Sequence, residues 1–179
     1  MTSLLRQRVI RVGQGDWRGR DITDGLRTIG WAQRGVLHDA NGQLVADVRR
    51  RKRDDGLKVW VVEDAFGQAV GNIVPTSRIG WRGRVKLATP QSPFGFTGTV
   101  QLVGSERDVA DVRGGAVINA DGSLAAEVLL GEKRWFGSRS MWGEWTLKFH
   151  HCDDPQLRVM CFGWLALAWQ FQNALDSSD

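Results

Sequence analysis

A chain of 179 residues and 20.0 kDa is sized for one domain around one core. Its 42% hydrophobic and 25% charged content excludes an intrinsically disordered chain, its two cysteines exclude a disulfide scaffold, and 22 glycines without a three-residue period exclude collagen. The net charge is +4, yet residues 1–53 hold twelve of the 24 Lys and Arg against five of the 20 acidic residues, so the basic character belongs to the first third and suits an anionic membrane surface or nucleic acid. Nineteen of the cations are Arg, which fits phosphate recognition and is equally what a GC-rich genome encodes.

Along the chain, Met1 to Val12 alternates apolar residues with Arg6, Arg8 and Arg11 and has no apolar core of signal-peptide length. With Cys152 and Cys161 as the only cysteines and no C-x-x-C, reduced thiols and a cytoplasmic location, peripheral at the inner membrane surface if lipid is bound, are expected. Gly13-x-Gly15-x-x-x-Gly19 lacks the dinucleotide-binding spacing, and neither a G-x-S-x-G nor a Walker pattern occurs.

From Gly30 to Phe149 the apolar runs are short, rich in Val and Trp, and divided by Gly-containing turns, which predicts ten to twelve antiparallel strands. An internal repeat underlies them. Asp39 to Val48 (DANGQLVADV) is echoed by Asp64 to Ile73 (DAFGQAVGNI) and by Asn119 to Val128 (NADGSLAAEV), each a hairpin unit. Asn41-Gly42 and Asp121-Gly122 can take the positive φ of a tight hairpin turn, as can Gly67 in the middle copy. After the first turn, strict alternation puts Leu44, Ala46 and Val48 on one face and Gln43, Val45 and Asp47 on the other. Leu57 to Val62 and Gly114 to Ile118 are leading strands, Asp54-Asp55-Gly56 is a further turn, and Arg82 to Ala88, Phe94 to Val103 and Trp142 to Phe149 are further candidate strands.

Arg49, Arg50, Arg51, Lys52 and Arg53 form the sharpest local feature. On a strand such a run alternates faces and cannot all line a core, so it belongs at a rim or edge, as a phosphate or anionic-lipid patch or as a solvated hairpin end that discourages edge pairing. Arg82, Arg84 and Lys86, spaced by two beside Trp81, form a second candidate anion-binding face. His150-His151-Cys152-Asp153-Asp154 contains metal-capable residue types, but adjacent histidines on a strand point apart, so neither a metal nor another cofactor is expected. No nucleophile with a visible base stands out, Cys161 reads as buried packing, and a non-enzymatic protein is expected.

The end of the chain reads differently: Asp154 caps and Pro155 opens a helix over about residues 155–175. From Val159 to Trp169 it carries no charge and no polar face, and such a helix must be buried in protein or lipid. Eleven residues fall short of the roughly 20 that cross a bilayer. A single domain over residues 1–179, a closed antiparallel β-barrel with this helix inside it, satisfies both facts.

The ordered D-x-x-G-x-x-x-A-x-V hairpins, the strand Trp142 to Phe149 and the Asp154-Pro155-Gln156-Leu157 entry to an apolar terminal helix resemble the tubby C-terminal-like superfamily, closest to the LURP-one-related and phospholipid-scramblase-like proteins, over residues 30–175. The resemblance implies a twelve-stranded barrel threaded by the helix and a non-catalytic module binding anionic phospholipids, phosphoinositides among them, or acting as a scaffold for a protein partner. The palmitoylated cysteine cluster and acidic calcium segment of animal scramblases have no counterpart in this chain. A nucleic-acid-binding or regulatory protein using the same basic third is the alternative reading.

Overall fold

The computed structural model describes residues 3–13, 20–33, 35–75, 97–105, 107–113, 115–130, 133–136, 139–142 and 145–176. The strands in chain order are β1 (Val9–Val12), β2 (Arg20–Thr23), β3 (Thr28–Gln33), β4 (Val36–Asp39), β5 (Leu44–Lys52), β6 (Lys58–Glu63), β7 (Ala69–Pro75), β8 (Thr97–Leu102), β9 (Ala110–Arg113), β10 (Ala116–Asn119), β11 (Leu124–Leu130), β12 (Lys133–Phe136), β13 (Arg139–Trp142) and β14 (Trp145–Phe149), followed by the helix α1 (Pro155–Asp176). Twelve strands close an antiparallel barrel in the order β1-β14-β11-β10-β9-β8-β7-β6-β5-β4-β3-β2, and β12–β13 is a separate two-stranded hairpin. The fold expected from the sequence is therefore the observed one. Its boundaries are wider: β1 pairs with both β14 and β2, so residues before Gly30 complete the closure. Within the candidate strand Trp142 to Phe149, Trp145–Phe149 is β14 and Trp142 is the last residue of β13, and the candidate strand Arg82 to Ala88 lies outside the described residues.

The three repeats share one turn geometry. In each, the first residue donates its N–H to the carbonyl four residues on and accepts from the glycine three residues on: Asp39 with Gln43 and Gly42, Asp64 with Gln68 and Gly67, Asn119 with Ser123 and Gly122. The glycines take φ of 77°, 72° and 85°, which closes a type I turn into a right-twisted hairpin. Asp39 and Asp64 add side-chain caps, each Oδ1 accepting from the N–H groups two and four residues on at 2.8–3.0 Å.

A β-bulge opens each strand after its turn, where the register shifts between Leu37 and His38, Val62 and Glu63, and Val117 and Ile118. The strict alternation expected for β5 therefore fails at its start. Val45 is the extra residue and faces the core with Ala46, at 3% and 0% exposure, while Leu44 is only half-buried. Val70-Gly71 and Ala125-Ala126 repeat the arrangement. The second member of each pair is small, and a Cβ on Gly71 would meet the Gln101 carbonyl of β8 as well as the Met160 sulfur on α1 at 3.0 Å. Ala46 and Gly71 lie on β5 and β7, the two strands against which α1 chiefly packs.

That helix is about 33 Å long, and its apolar stretch from Val159 to Ala166 is buried without a break, as its sequence requires. Val159, Met160, Cys161, Phe162, Gly163, Trp164, Leu165 and Ala166 are all buried in succession, and they share one cluster with Ile10, Ile22, Leu37, Ile73, Trp145 and Leu147 from the barrel wall. The tryptophans divide accordingly: Trp60, Trp145 and Trp164 are core, whereas Trp31 stacks on His38 outside the wall at 3.9 Å between centroids. The chain enters the helix at the end of the barrel that carries the repeat turns, where Asn119 Nδ2 donates to the His151 carbonyl and the His150 N–H to the Ala125 carbonyl. Asp154 Oδ1 accepts from the Gln156 N–H at 2.8 Å and caps the first turn.

Packing is tightest at Gly163, where an added Cβ would meet Val62 Cγ2 at 2.6 Å and Cγ1 at 2.9 Å. Gly to Ala in an open helix adds about 1 kcal/mol of stability, but here overpacking against a stiff β-branched side chain outweighs it. Gly163→Ala is expected to lower stability by about 1–3 kcal/mol in a denaturant titration, and Gly163→Ala with Val62→Ala to cost less than the sum of the single changes. Leu165→Asp buries an unpaired carboxylate and is expected to cost on the order of 3–5 kcal/mol in a thermal melt without any membrane, where a peripheral anchor would show no change.

Candidate functional site

Among the described residues, the space between the helix and the wall is small. Between α1 and the wall, Val12, Ala32, Leu37, Trp145, Leu165 and Ala166 surround a void of about 10 Å³, at the lower limit for a single water and without a polar lining side chain apart from the indole. Any recognition by the described residues is therefore at the surface, and the cationic run is the first place to look.

Strand β5 runs from a repeat turn at the helix-entry end toward the opposite end, so Arg49 to Arg53 climb to the far rim and into the turn before β6. Beyond the bulge the pleat alternates cleanly: Asp47, Arg49 and Arg51 face outward, and Val48, Arg50 and Lys52 take the core-facing side. The two sets meet different environments. Asp47 and Glu63 are direct cross-strand partners, 8% and 7% exposed, and two carboxylates in that position repel. Arg49 resolves the conflict, its Nε and Nη2 both donating to Asp47 Oδ2 at 2.8 and 2.7 Å while Nε lies 3.6 Å from Glu63 Oε2. Arg51 Nη2 donates to Glu63 Oε1 at 2.7 Å. The hydrogen bond and charge of Asp47, with Glu63 behind it, hold the Arg49 guanidinium above its ordinary range. Beneath these pairs Val59, Val61 and Val74 form a second buried apolar cluster on the outer wall. Arg53 pairs with Asp55 across its own turn at 3.2 Å.

The other set is different in kind. Arg50 lies over the Trp60 ring at 5.7 Å, a cation–π contact on the inner face of the rim. Lys52, the last residue of β5, is directly opposite Lys58, the first of β6. Both are exposed, and no ion pair joins either to a carboxylate among the described residues. Leu57 projects beside them, 38% exposed. The five-residue run is thus divided: Arg49, Arg51 and Arg53 are matched to acids, and Arg50 and Lys52 join Lys58 on the rim. Lys58 and Leu57 did not stand out in the sequence, although counting back from the Gly56 turn pairs residue 52 with residue 58. Arg82, Arg84 and Lys86 lie outside the described residues.

Among the described residues no three His, Cys, Asp or Glu side chains come together as metal ligands, and no helix is long and apolar enough to cross a membrane. His150 Nε2 instead contacts Glu127 Oε1 at 3.1 Å, with Lys148 Nζ at 3.7 Å from the same oxygen. No protein-family model, curated protein or solved structure matches the chain.

The outward pairs predict a separable effect. Glu63→Gln withdraws the negative charge shared by Arg49 and Arg51, and because both cations are more than half exposed they return to water cheaply. The expected loss is about 1 kcal/mol, a fall in Tm of roughly 2–4 °C for a chain of this size, read by calorimetry.

Proposed function

We propose that this chain is a non-catalytic binding module of the tubby-like, LURP-one-related or scramblase-like kind, which sets the β5–β6 end of its barrel against an anionic phospholipid surface. The observation that carries the reading is the placement of Lys52 directly opposite Lys58, with Arg50 on the same face and Leu57 exposed beside them. Like charges opposite one another in a ladder are a cost to the fold, and a bound phosphate removes it. An exposed leucine among cations suits the boundary between headgroups and acyl chains better than it suits the edge of a nucleic-acid duplex.

Each cation near an anionic membrane contributes about 1 kcal/mol, so Lys52→Gln with Lys58→Gln is expected to weaken binding to phosphatidylserine-containing vesicles on the order of 30-fold. Co-sedimentation with those vesicles, with pure phosphatidylcholine vesicles and with duplex DNA at matched salt is the measurement. Binding to the anionic vesicles alone, weakening with added salt, is the expected result. Preference for DNA would replace lipid with nucleic acid as the partner, and binding to neither would overturn both.

A further inference from the structure

The three repeats differ at one place that their shared turn does not explain. The residue before the turn glycine is Asn41 in the first copy and Asp121 in the third, residue types that such a turn favours, but it is Phe66 in the second. The turn has no use for the ring. It is held by Asp64 Oδ1, which accepts from the Phe66 and Gln68 N–H groups at 2.8 and 3.0 Å, and the Phe66 side chain is 85% exposed. Beside this hairpin the Val103 N–H donates to the Val70 carbonyl at 2.9 Å, which sets Val103, 59% exposed, at the start of the neighbouring β8–β9 turn. Two large apolar residues thus stand in water on adjacent turns at the helix-entry end.

Their surroundings are acidic. Strands β6 to β11 are consecutive around the barrel, and their three turns at this end carry Asp64, Asp108 and Asp121. The β14–α1 connector adds the exposed Asp153 and Asp154, next to the β10–β11 turn where Asn119 Nδ2 donates to the His151 carbonyl. Among the described residues no ion pair joins any of these five carboxylates to an Arg or Lys, and Arg107 is the one cation on the three turns. Arg6 and Arg8 precede β1, outside the arc.

The complement of this surface lies at the opposite end of the same molecule, where Lys52 stands across from Lys58, with Arg50 on the same face and Leu57 exposed beside them. One end offers carboxylates around exposed apolar residues, and the other offers cations around an exposed leucine. We infer that a second copy of this chain docks head to tail, its β6–β11 turns set on the β5–β6 rim of the first. Carboxylates of the neighbour relieve the repulsion between Lys52 and Lys58, and the exposed apolar residues of both ends leave water. Because the two surfaces differ, the contact is heterologous: every added copy leaves one end of each kind open, and the assembly grows past a dimer. Its charges are exposed, so salt weakens it. The inference does not rest on the lipid reading, since an anionic membrane and a neighbouring copy compete for one rim.

Sedimentation velocity of the intact chain, from low micromolar to submillimolar concentration at low salt, is the test. The expected result is a sedimentation coefficient that climbs with concentration beyond that of a dimer and returns to the monomer value in molar salt. Phe66→Asn with Asp121→Asn gives both turns the residue of the first repeat, keeps their geometry and an acceptor for Ser123, and is expected to weaken association on the order of 30-fold. Lys52→Gln with Lys58→Gln removes the other surface. Each double variant alone is expected to stay monomeric, while an equal mixture forms a one-to-one dimer that grows no further, because the first keeps its rim and the second its turns. A monomeric wild-type chain at every concentration would overturn the proposal, as would a wild-type assembly that stops at two copies, or double variants that fail to complement when mixed. The wild-type series decides the matter even if a variant fails to fold. The turn variant keeps the cationic rim, so its vesicle binding is expected to be unchanged, which separates failure of this inference from failure of the lipid reading.

Discussion

A helix with no polar side cannot face water, and the rest of this structure follows from giving it a place to be. Eight consecutive residues of α1, Val159 to Ala166, are buried, so the helix needs apolar surface through a full circle. A single open sheet covers one side of a helix; a closed barrel covers all of it and leaves no edge strands. The price is width, and where the helix packs on β5 and β7 the wall presents the small residues Ala46 and Gly71. Gly163 is the matching absence of a side chain on the helix, against Val62 of β6.

The bulges that follow the repeat turns do more than accommodate the helix. Each puts two successive residues on the core side and resets the alternation for the remainder of its strand. In β5 that phase decides the fate of every cation downstream. With Ala46 and Val48 inward, Arg49 and Arg51 fall on the outer wall, where the facing carboxylates of Asp47 and Glu63 engage them, and Arg50 and Lys52 fall on the rim of the inner face. Shifting the bulge by one residue would exchange the two sets and place the carboxylates against the apolar core.

The two ends of the barrel differ in kind. At one end the repeat turns, the β14–α1 connector and Arg158 secure the helix. At the other, the β5–β6 turn presents Lys52, Lys58 and Leu57 to solvent. The helix entry and the cationic rim are therefore separated by the length of the barrel.

Residue order alone was enough to determine the β class, the hairpin repeats with their glycine turns, and a buried terminal helix. These rest on local physics: positive φ at Gly42, Gly67 and Gly122, period-2 patterning, and an apolar stretch too short to cross a bilayer. The tertiary structure alone decided what depends on register and closure. Strands β1 and β2 are too short and too rich in arginine to stand out, and they exist because they complete a ring. Val45 faces the core only because a bulge turns it there, and Arg49 differs from Arg50 only because the pleat puts a carboxylate pair on one side and a tryptophan on the other. Likewise Arg158 donates to the Gln7 carbonyl because the chain folds back into its own barrel, a relation that spacing along a chain does not encode.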